Sequence, residues 1–283
     1  MNIVKSKTQV AEIWKNLKTS KLSVGLVPTM GALHDGHLSL IKQALSENER
    51  VFVSIFVNPT QFNNANDLDT YPRTLERDVS LLKTIAKNNI IVYAPTVDDI
   101  YEHNVESVTF DFDGLEKVME GEFRHGHFDG VGTVVKRFFE IVKPDNAYFG
   151  EKDFQQLQII RKLVKKFNIP VNIVGCDIYR EESGLAMSSR NVRLTLEQKN
   201  EAPIIYKTLK TAKDKFGTKS VKKVTEWVRK QFAKNTLLEL EYFTIADVET
   251  LKPIKRKSKK KKYRAFIAVY AGDVRLIDNI ALN

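Results

Sequence analysis

Two histidines three residues apart, His34 and His37, stand in PTMGALHDGHLSL (28–40), between a short apolar run and a helical pattern. On the opening turn of a helix two imidazoles at that spacing point the same way and can donate hydrogen bonds to phosphate oxygens as charge builds on them. Gly31 and Gly36 let the backbone turn tightly and a ligand come close. The helix start beyond them offers unpaired N–H groups and a positive dipole end. Three more segments carry polar groups after an apolar run. FVNPTQF (56–62) supplies Asn58 and Gln61, neutral donors and acceptors suited to hydroxyl or carboxylate. FGEKDFQQLQIIRKLV (149–164) supplies Lys152 for phosphate charge, Asp153 for a helix cap or a ribose hydroxyl, and Gln156 one turn on. GLAMSSRN (184–191) supplies Ser188, Ser189 and the always-charged fork of Arg190, a loop able to close over a triphosphate and stabilise leaving pyrophosphate. Each segment also has a plainer reading: a chance histidine pair, an Asn-Pro turn, a capped helix, a linker.

Such groups need a frame, and the first 180 residues supply one. Short β-rich runs at Ser23–Val27, Arg50–Val57, Asn89–Ala94, Ala147–Gly150 and Val171–Gly175 alternate with amphipathic stripes. The stripes are Leu38/Ile41/Leu45, Leu75/Val79/Leu82/Ala86, Val131/Val134/Val135/Phe138/Val142 and Leu157/Ile160/Val164/Phe167. Alternation of this kind predicts an α/β fold, a Rossmann-like parallel sheet with helices on both faces, whose ligands gather at the carboxyl ends of the strands. Beyond residue 180 the pattern reads as helices at Leu194–Lys215 and Val221–Lys234, then strands at Leu238–Ile245, Arg264–Ala271 and Arg275–Ala281. The expected division is residues 1–180 as the nucleotide- and substrate-binding domain, and 181–283 as a smaller α+β domain with the serine-arginine loop at its start.

The chain has 283 residues and a net charge of +10, of which eight positive charges lie in Lys255–Arg264, leaving +2 for the rest. Basicity is therefore local. A polyanion patch and a solvated loop between strands both fit that run, and with Tyr263 its one aromatic the loop is favoured, so nucleic acid is not an expected partner. No run approaches the roughly 20 apolar residues of a membrane span. The first ten residues lack the apolar core of a signal peptide. With Cys176 as the single cysteine no internal disulfide can form, and the expected setting is cytoplasmic.

The element around His34 and His37 resembles the His-x-Gly-His signature of the nucleotidyltransferase and class I aminoacyl-tRNA synthetase superfamily, which implies chemistry at the α-phosphate of a nucleoside triphosphate. Taken in order, PTMGALHDGHLSL, SIFVNPTQF, DLDTYPRTLERD, GHFDGV, FGEKDFQQL and GLAMSSRN resemble the pantothenate synthetase (pantoate–β-alanine ligase) family, with a fainter echo in RLIDNIAL (275–282). The resemblance implies a homodimer using ATP and Mg²⁺. Pantoate would be adenylated and β-alanine would then displace AMP. The competing reading on the same fold is a nucleotidyltransferase acting on a phosphorylated acceptor.

Carried over by resemblance, Met30, Gly31, Ala32, Leu33, His34, Asp35, Gly36 and His37 line the ATP site, with His37 catalytic and His34 its partner near the phosphates. Gly150, Glu151, Lys152 and Asp153 form a second ATP segment, with Lys152 on phosphate. Tyr179 falls where adenine is read through main-chain groups, and Met187, Ser188, Ser189 and Arg190 match a mobile loop over the phosphates. Gln61 and Gln156 match pantoate contacts, with Asn58 a polar contact nearby. Three positions depart from the family pattern: Thr60 for an apolar residue, His125 for proline, and Arg77 in a stretch more acidic elsewhere. No protein ligand to Mg²⁺ is assigned, and the ion is expected on ATP phosphates and water.

Overall fold

The computed structural model describes residues 1–62 and 68–283, Lys18 by its backbone alone. Asp67, which opens the DLDTYPRTLERD motif, lies outside the described residues. The chain divides into two compact units, residues 1–151 with 155–177, and residues 152–154 with 178–283.

The first unit holds a six-stranded, all-parallel sheet: β1 (Asn2–Val4), β2 (Val24–Thr29), β3 (Arg50–Ile55), β4 (Ile90–Tyr93), β5 (Asn146–Gly150) and β6 (Asn172–Cys176). Its order is β1-β4-β3-β2-β5-β6. The order in which strands are added reverses beside β2, where β5 pairs in parallel through Gly25 with Asn146 and Leu26 with Ala147. Right-handed crossovers on either side of such a reversal leave a crevice between the carboxyl ends of the two strands. Here those ends are Thr29 and Gly150, which lead into two of the chemistry-bearing segments.

The strands are continuous apolar runs because both faces are covered. One face packs under α2 (Asp35–Glu47) and α3 (Leu75–Lys83), whose Leu38, Ile41, Ala44, Val79 and Leu82 share a core with Val27, Val51, Val53, Ile90 and Val92. Elsewhere, α6 (His127–Val142) sets Phe138 edge-on against Phe56 and Tyr93, at 6.1 and 5.9 Å between ring centroids. α6 also contacts α1 (Lys7–Thr19). α4 (Val97–Tyr101) and α5 (Glu120–Phe123) are short, and α7 (Phe154–Phe167) leads into β6. The edge strand β1 and helix α1 are absent from the sequence reading. Three residues of strand carry too little periodicity to be seen alone.

The second unit is an antiparallel sheet, β7 (Glu239–Asp247), β8 (Tyr263–Ala271) and β9 (Val274–Ala281), with α8 (Leu196–Glu201), α9 (Ile204–Thr218) and α10 (Val221–Phe232). Gly272, at φ +58°, makes the tight β8–β9 turn. The single helix expected over 194–215 is two helices, broken at Pro203, which has no N–H to continue the ladder. Val224 and Val228 of α10 and Leu209 and Ala212 of α9 pack with Ile245, Ile267 and Val269 of the sheet.

Candidate active site

In the first unit the site begins where β2 stops. Thr29 Oγ1 donates to the Ser54 carbonyl at 2.7 Å, binding the end of β2 to β3, and accepts the Gly31 N–H at 3.2 Å. Gly31 and Ala32 then adopt φ of +83° and +49°, two left-handed residues in succession. Ala32 has a Cβ and is strained there. A fully buried carboxylate holds the turn: Asp78 on α3 accepts the N–H of Ala32 at 2.9 Å and of Leu33 at 2.8 Å, and the Thr74 hydroxyl at 3.2 Å. Charge-assisted bonds of this kind offset both the strain and the desolvation of the anion, and the carboxylate sits on the first turns of a helix, where the dipole favours it. Arg77, the neighbouring departure, is exposed.

The N–H groups of Gly31, Ala32, Leu33 and His34 are engaged within the protein, and Leu33 turns its side chain into the core, 1% exposed. Gly36 lies inside α2 and makes no turn. What the turn presents is its pair of imidazoles. His34 is the N-cap of α2, its N–H donates to Nδ1 of His37 at 3.3 Å, and the two rings lie tilted by 33° with centroids 4.0 Å apart. Because Nδ1 of His37 accepts, the ring proton resides on Nε2, which is a donor.

The segment after β3 meets this turn. Gln61 Nε2 lies 3.0 Å from the sulfur of Met30. The Gln61 carbonyl is held by His127 Nδ1 at 2.8 Å and Arg124 at 3.4 Å. The sequence places Asn58 among the substrate contacts, whereas the structure buries it to 1% exposure with both ends of its amide engaged. Thr60 bonds inward as well, and His125 is exposed. On α7, Gln156 is half-buried, while its neighbour Gln155 is buried and donates to the carbonyls of Leu115 and Val118 at 2.8 and 2.6 Å. Gly150 and Glu151 close β5 at the reversal point.

Lys152, Asp153, Tyr179 and Met187–Arg190 belong to the second unit. There Asn279 Nδ2 donates to the Lys152 carbonyl at 2.9 Å, and Asn279 Oδ1 accepts from Arg264. Lys152 Nζ is 3.8 Å from Asp153. The serine-arginine segment forms a hydrogen-bonded turn. Arg180 bridges to Ala186, the Tyr179 carbonyl accepts the Met187 N–H at 3.0 Å, and Ser188 caps a short 3₁₀ turn over Ser189–Arg193. Buried Asn191 fastens it to Glu181 and the Ala186 carbonyl at 3.0 and 3.1 Å. Arg180 forks onto buried Asp278 at 2.7 and 2.9 Å and stacks on Tyr206 at 3.5 Å. The faint RLIDNIAL signal thus marks residues that hold others in place. The basic run is likewise not all solvated loop. Lys257 caps carbonyls at the end of α9, Lys261 pairs with Asp247 at 2.9 Å, and Arg264 lies buried in β8 against Phe154.

Among the described residues no three His, Cys, Asp or Glu side chains group closely enough to hold a metal ion, and no helix is long and apolar enough to cross a membrane. Sequence reasoning missed Asp78, Tyr101, Arg180, Asp278 and Asn279. Of these, Asp278 and Asn279 left a signal within RLIDNIAL, and Asp78 closes the DLDTYPRTLERD motif.

The family profile of pantoate-beta-alanine ligase matches residues 2–281. The chain belongs to the pantoate-beta-alanine ligase family. It is 56% identical to a pantothenate synthetase of Christiangramia forsetii over 283 residues, the whole of both chains. Among solved structures it resembles a pantothenate synthetase from Thermus thermophilus at a TM-score of 0.89 and 37% identity, covering 100% of this chain and 99% of that one. It also resembles a pantoate-beta-alanine ligase from Francisella tularensis complexed with β,γ ATP and β-alanine, at a TM-score of 0.81 and 39% identity, covering 100% and 98%. The Rossmann-like parallel sheet and the three-stranded antiparallel sheet are therefore the family's fold.

Proposed function

We propose that this pantoate-beta-alanine ligase works through an enzyme-bound pantoyl adenylate, with the paired imidazoles of His34 and His37 at the phosphates. The activity itself, ATP-driven condensation of pantoate with β-alanine, belongs to the chain through its family. A free carboxylate is a poor acyl donor to an amine, so it must first gain a leaving group. In our reading a pantoate carboxylate oxygen attacks the α-phosphorus of ATP and the bond to pyrophosphate breaks. The unprotonated amine of β-alanine then attacks the acyl carbon, loses a proton, and AMP departs with the carboxylate oxygen it received.

The single observation that carries the phosphate assignment is the bond from the His34 N–H to Nδ1 of His37, which leaves the ring proton on Nε2. An Nε2–H donor on a ring held against its neighbour beside a clamped turn can strengthen its hydrogen bond as negative charge grows on a phosphate oxygen, without reorganising. Lys152, Ser188, Ser189 and Arg190 supply the remaining charge and hydroxyl donors in this reading, and Tyr179 lies beside the adenine. Glu151 and Asp153 flank the nucleotide segment, and Gln61 and Gln156 bind pantoate. Magnesium would ride on the triphosphate oxygens and water, lowering their charge. The Francisella relative, complexed with β,γ ATP and β-alanine, supports ATP as the co-substrate here. We further propose a homodimer in the cytoplasm.

The test omits substrates in turn. With ATP, pantoate and β-alanine together, AMP and pyrophosphate should accumulate in equal amounts with pantothenate. With β-alanine left out, at most one AMP equivalent per site should form as bound adenylate. Steady ADP release, or AMP release that ignores pantoate, would contradict the reading.

A further inference from the structure

Beneath Gln61 lies a chain of polar groups that runs in one direction only. Gly130 on α6 presses directly on the 60–61 backbone, so close that a Cβ there would stand 2.3 Å from the Thr60 carbonyl oxygen. Its own carbonyl can only accept, and it lies 3.2 Å from one end of the Asn58 amide. That end is therefore Nδ2, and the other end is oxygen. Two hydroxyls converge on this oxygen: Tyr101 at 2.6 Å and Thr60 at 3.2 Å, with 2.8 Å between the two hydroxyls. The shorter bond gives Tyr101 as the donor to Asn58, which leaves the Tyr101 oxygen to accept from Thr60. The second hydrogen on Asn58 Nδ2 points at Gln61, 3.2 Å away, so the atom it meets is Oε1. The outward end of Gln61 is then Nε2, the end beside Met30.

We propose that Tyr101 and Thr60 are positioning residues that act through Asn58 to fix the Gln61 amide with its NH₂ group toward pantoate. This rests on the assignment of Gln61 to the pantoate site. The relay makes that site a donor, selecting ligands that present a hydroxyl or carboxylate oxygen there. An amide free to flip would offer donor and acceptor alternately and select nothing. Tyr101 is 2% exposed, beneath the Arg137 guanidinium 4.7 Å from its ring centroid. Burial raises its hydroxyl pKa above the ordinary tyrosine value, so the group stays protonated and keeps donating. Asn58, with three bonds made internally, acts through its neighbour.

The experiment is a double-mutant cycle in the full-length enzyme with Tyr101→Phe, Gln61→Ala and the pair, reading KM for pantoate, for ATP and kcat. Thr60→Val, which also removes only a hydroxyl, is the second single variant. Tyr101→Phe should raise the pantoate KM about tenfold, with the ATP KM within about twofold, as expected for one lost buried hydrogen bond. Thr60→Val should move the same constant by less. In the Gln61→Ala background Tyr101→Phe should add nothing to the pantoate KM, because the relay has no amide left to orient. Additive effects, an unchanged pantoate KM in Tyr101→Phe and Thr60→Val, or equal changes in both KM values would overturn the relay. A Gln61→Ala enzyme with normal pantoate KM would instead remove Gln61 from the pantoate site.

Discussion

Two buried aspartates, one in each unit, perform different work with the same side chain. Asp78 spends its carboxylate on main-chain N–H groups and fixes the conformation of a turn, including the left-handed Ala32. Asp278 turns both carboxylate oxygens to a guanidinium, accepting a single main-chain N–H, that of Asn279 at 2.7 Å, and so fixes where Arg180 lies, with Tyr206 stacked beyond it. A carboxylate on backbone sets shape, and a carboxylate on a cation sets placement. The first suits a turn that must hold two imidazoles in one orientation. The second suits a segment whose contribution is positive charge. Around Gln61 the holding groups are mostly neutral amides and hydroxyls, which carry direction and little field.

The largest effect expected from that contrast is on His37, the group the first turn carries. His37→Ala should slow single-turnover adenylate formation by roughly 10²–10⁴-fold with little change in ATP affinity, since the donor acts on charge that develops in the transition state. An unchanged rate would leave the turn without its purpose. Next is the clamp. Asp78→Ala strands two buried N–H groups beside a strained residue and should cost about 3–5 kcal/mol in denaturant melts, with a loss of kcat beyond the loss of folded protein. Asp78→Asn, which keeps one acceptor oxygen, should recover part of both. If Asp78→Ala melts normally, the turn is held by something else.

Asp278→Ala should cost about 3 kcal/mol by leaving Arg180 poorly paired. Here the replacement Arg180→Met with Asp278→Leu should recover much of the stability, whereas no apolar pair can replace Asp78 against backbone N–H groups. Equal rescue at both sites would erase the distinction. The smallest effect concerns the pair of buried Asp247 and exposed Lys261. Burial of Asp247 works against its ionisation, but the bonds from Lys261 and Thr250 outweigh this and lower its pKa below the usual carboxylate range. Its contribution is thus present at neutral pH and lost as pH falls below about 4 through the lowered value. Asp247→Asn should flatten the acid limb of the stability curve there, and a curve identical to wild type would remove the pair from the acid response.

The contrast also explains what the sequence could reveal. Arg50–Ile55 was legible as a two-sided buried strand because its apolar run is unbroken, and the helix after His34 because Leu38 and Ile41 repeat at helical spacing. The break at Pro203 was overrun because apolar periodicity continues on both sides of it. The candidate site was legible where chemistry-bearing residues sit on short motifs, as with His34, His37, Lys152 and Arg190. Their supports were not. Asp78 meets Leu33 across 45 residues, Tyr101 meets Asn58 across 43, and Arg180 meets Asp278 across 98. No local pattern records contacts that only the folded chain creates.

Adenylation of pantoate is best tested by following an oxygen atom. Pantoate labelled with ¹⁸O in its carboxylate, turned over with ATP and β-alanine, should deliver one labelled oxygen to AMP and none to pyrophosphate. Label in pyrophosphate or inorganic phosphate, or AMP free of label, would contradict the adenylate route.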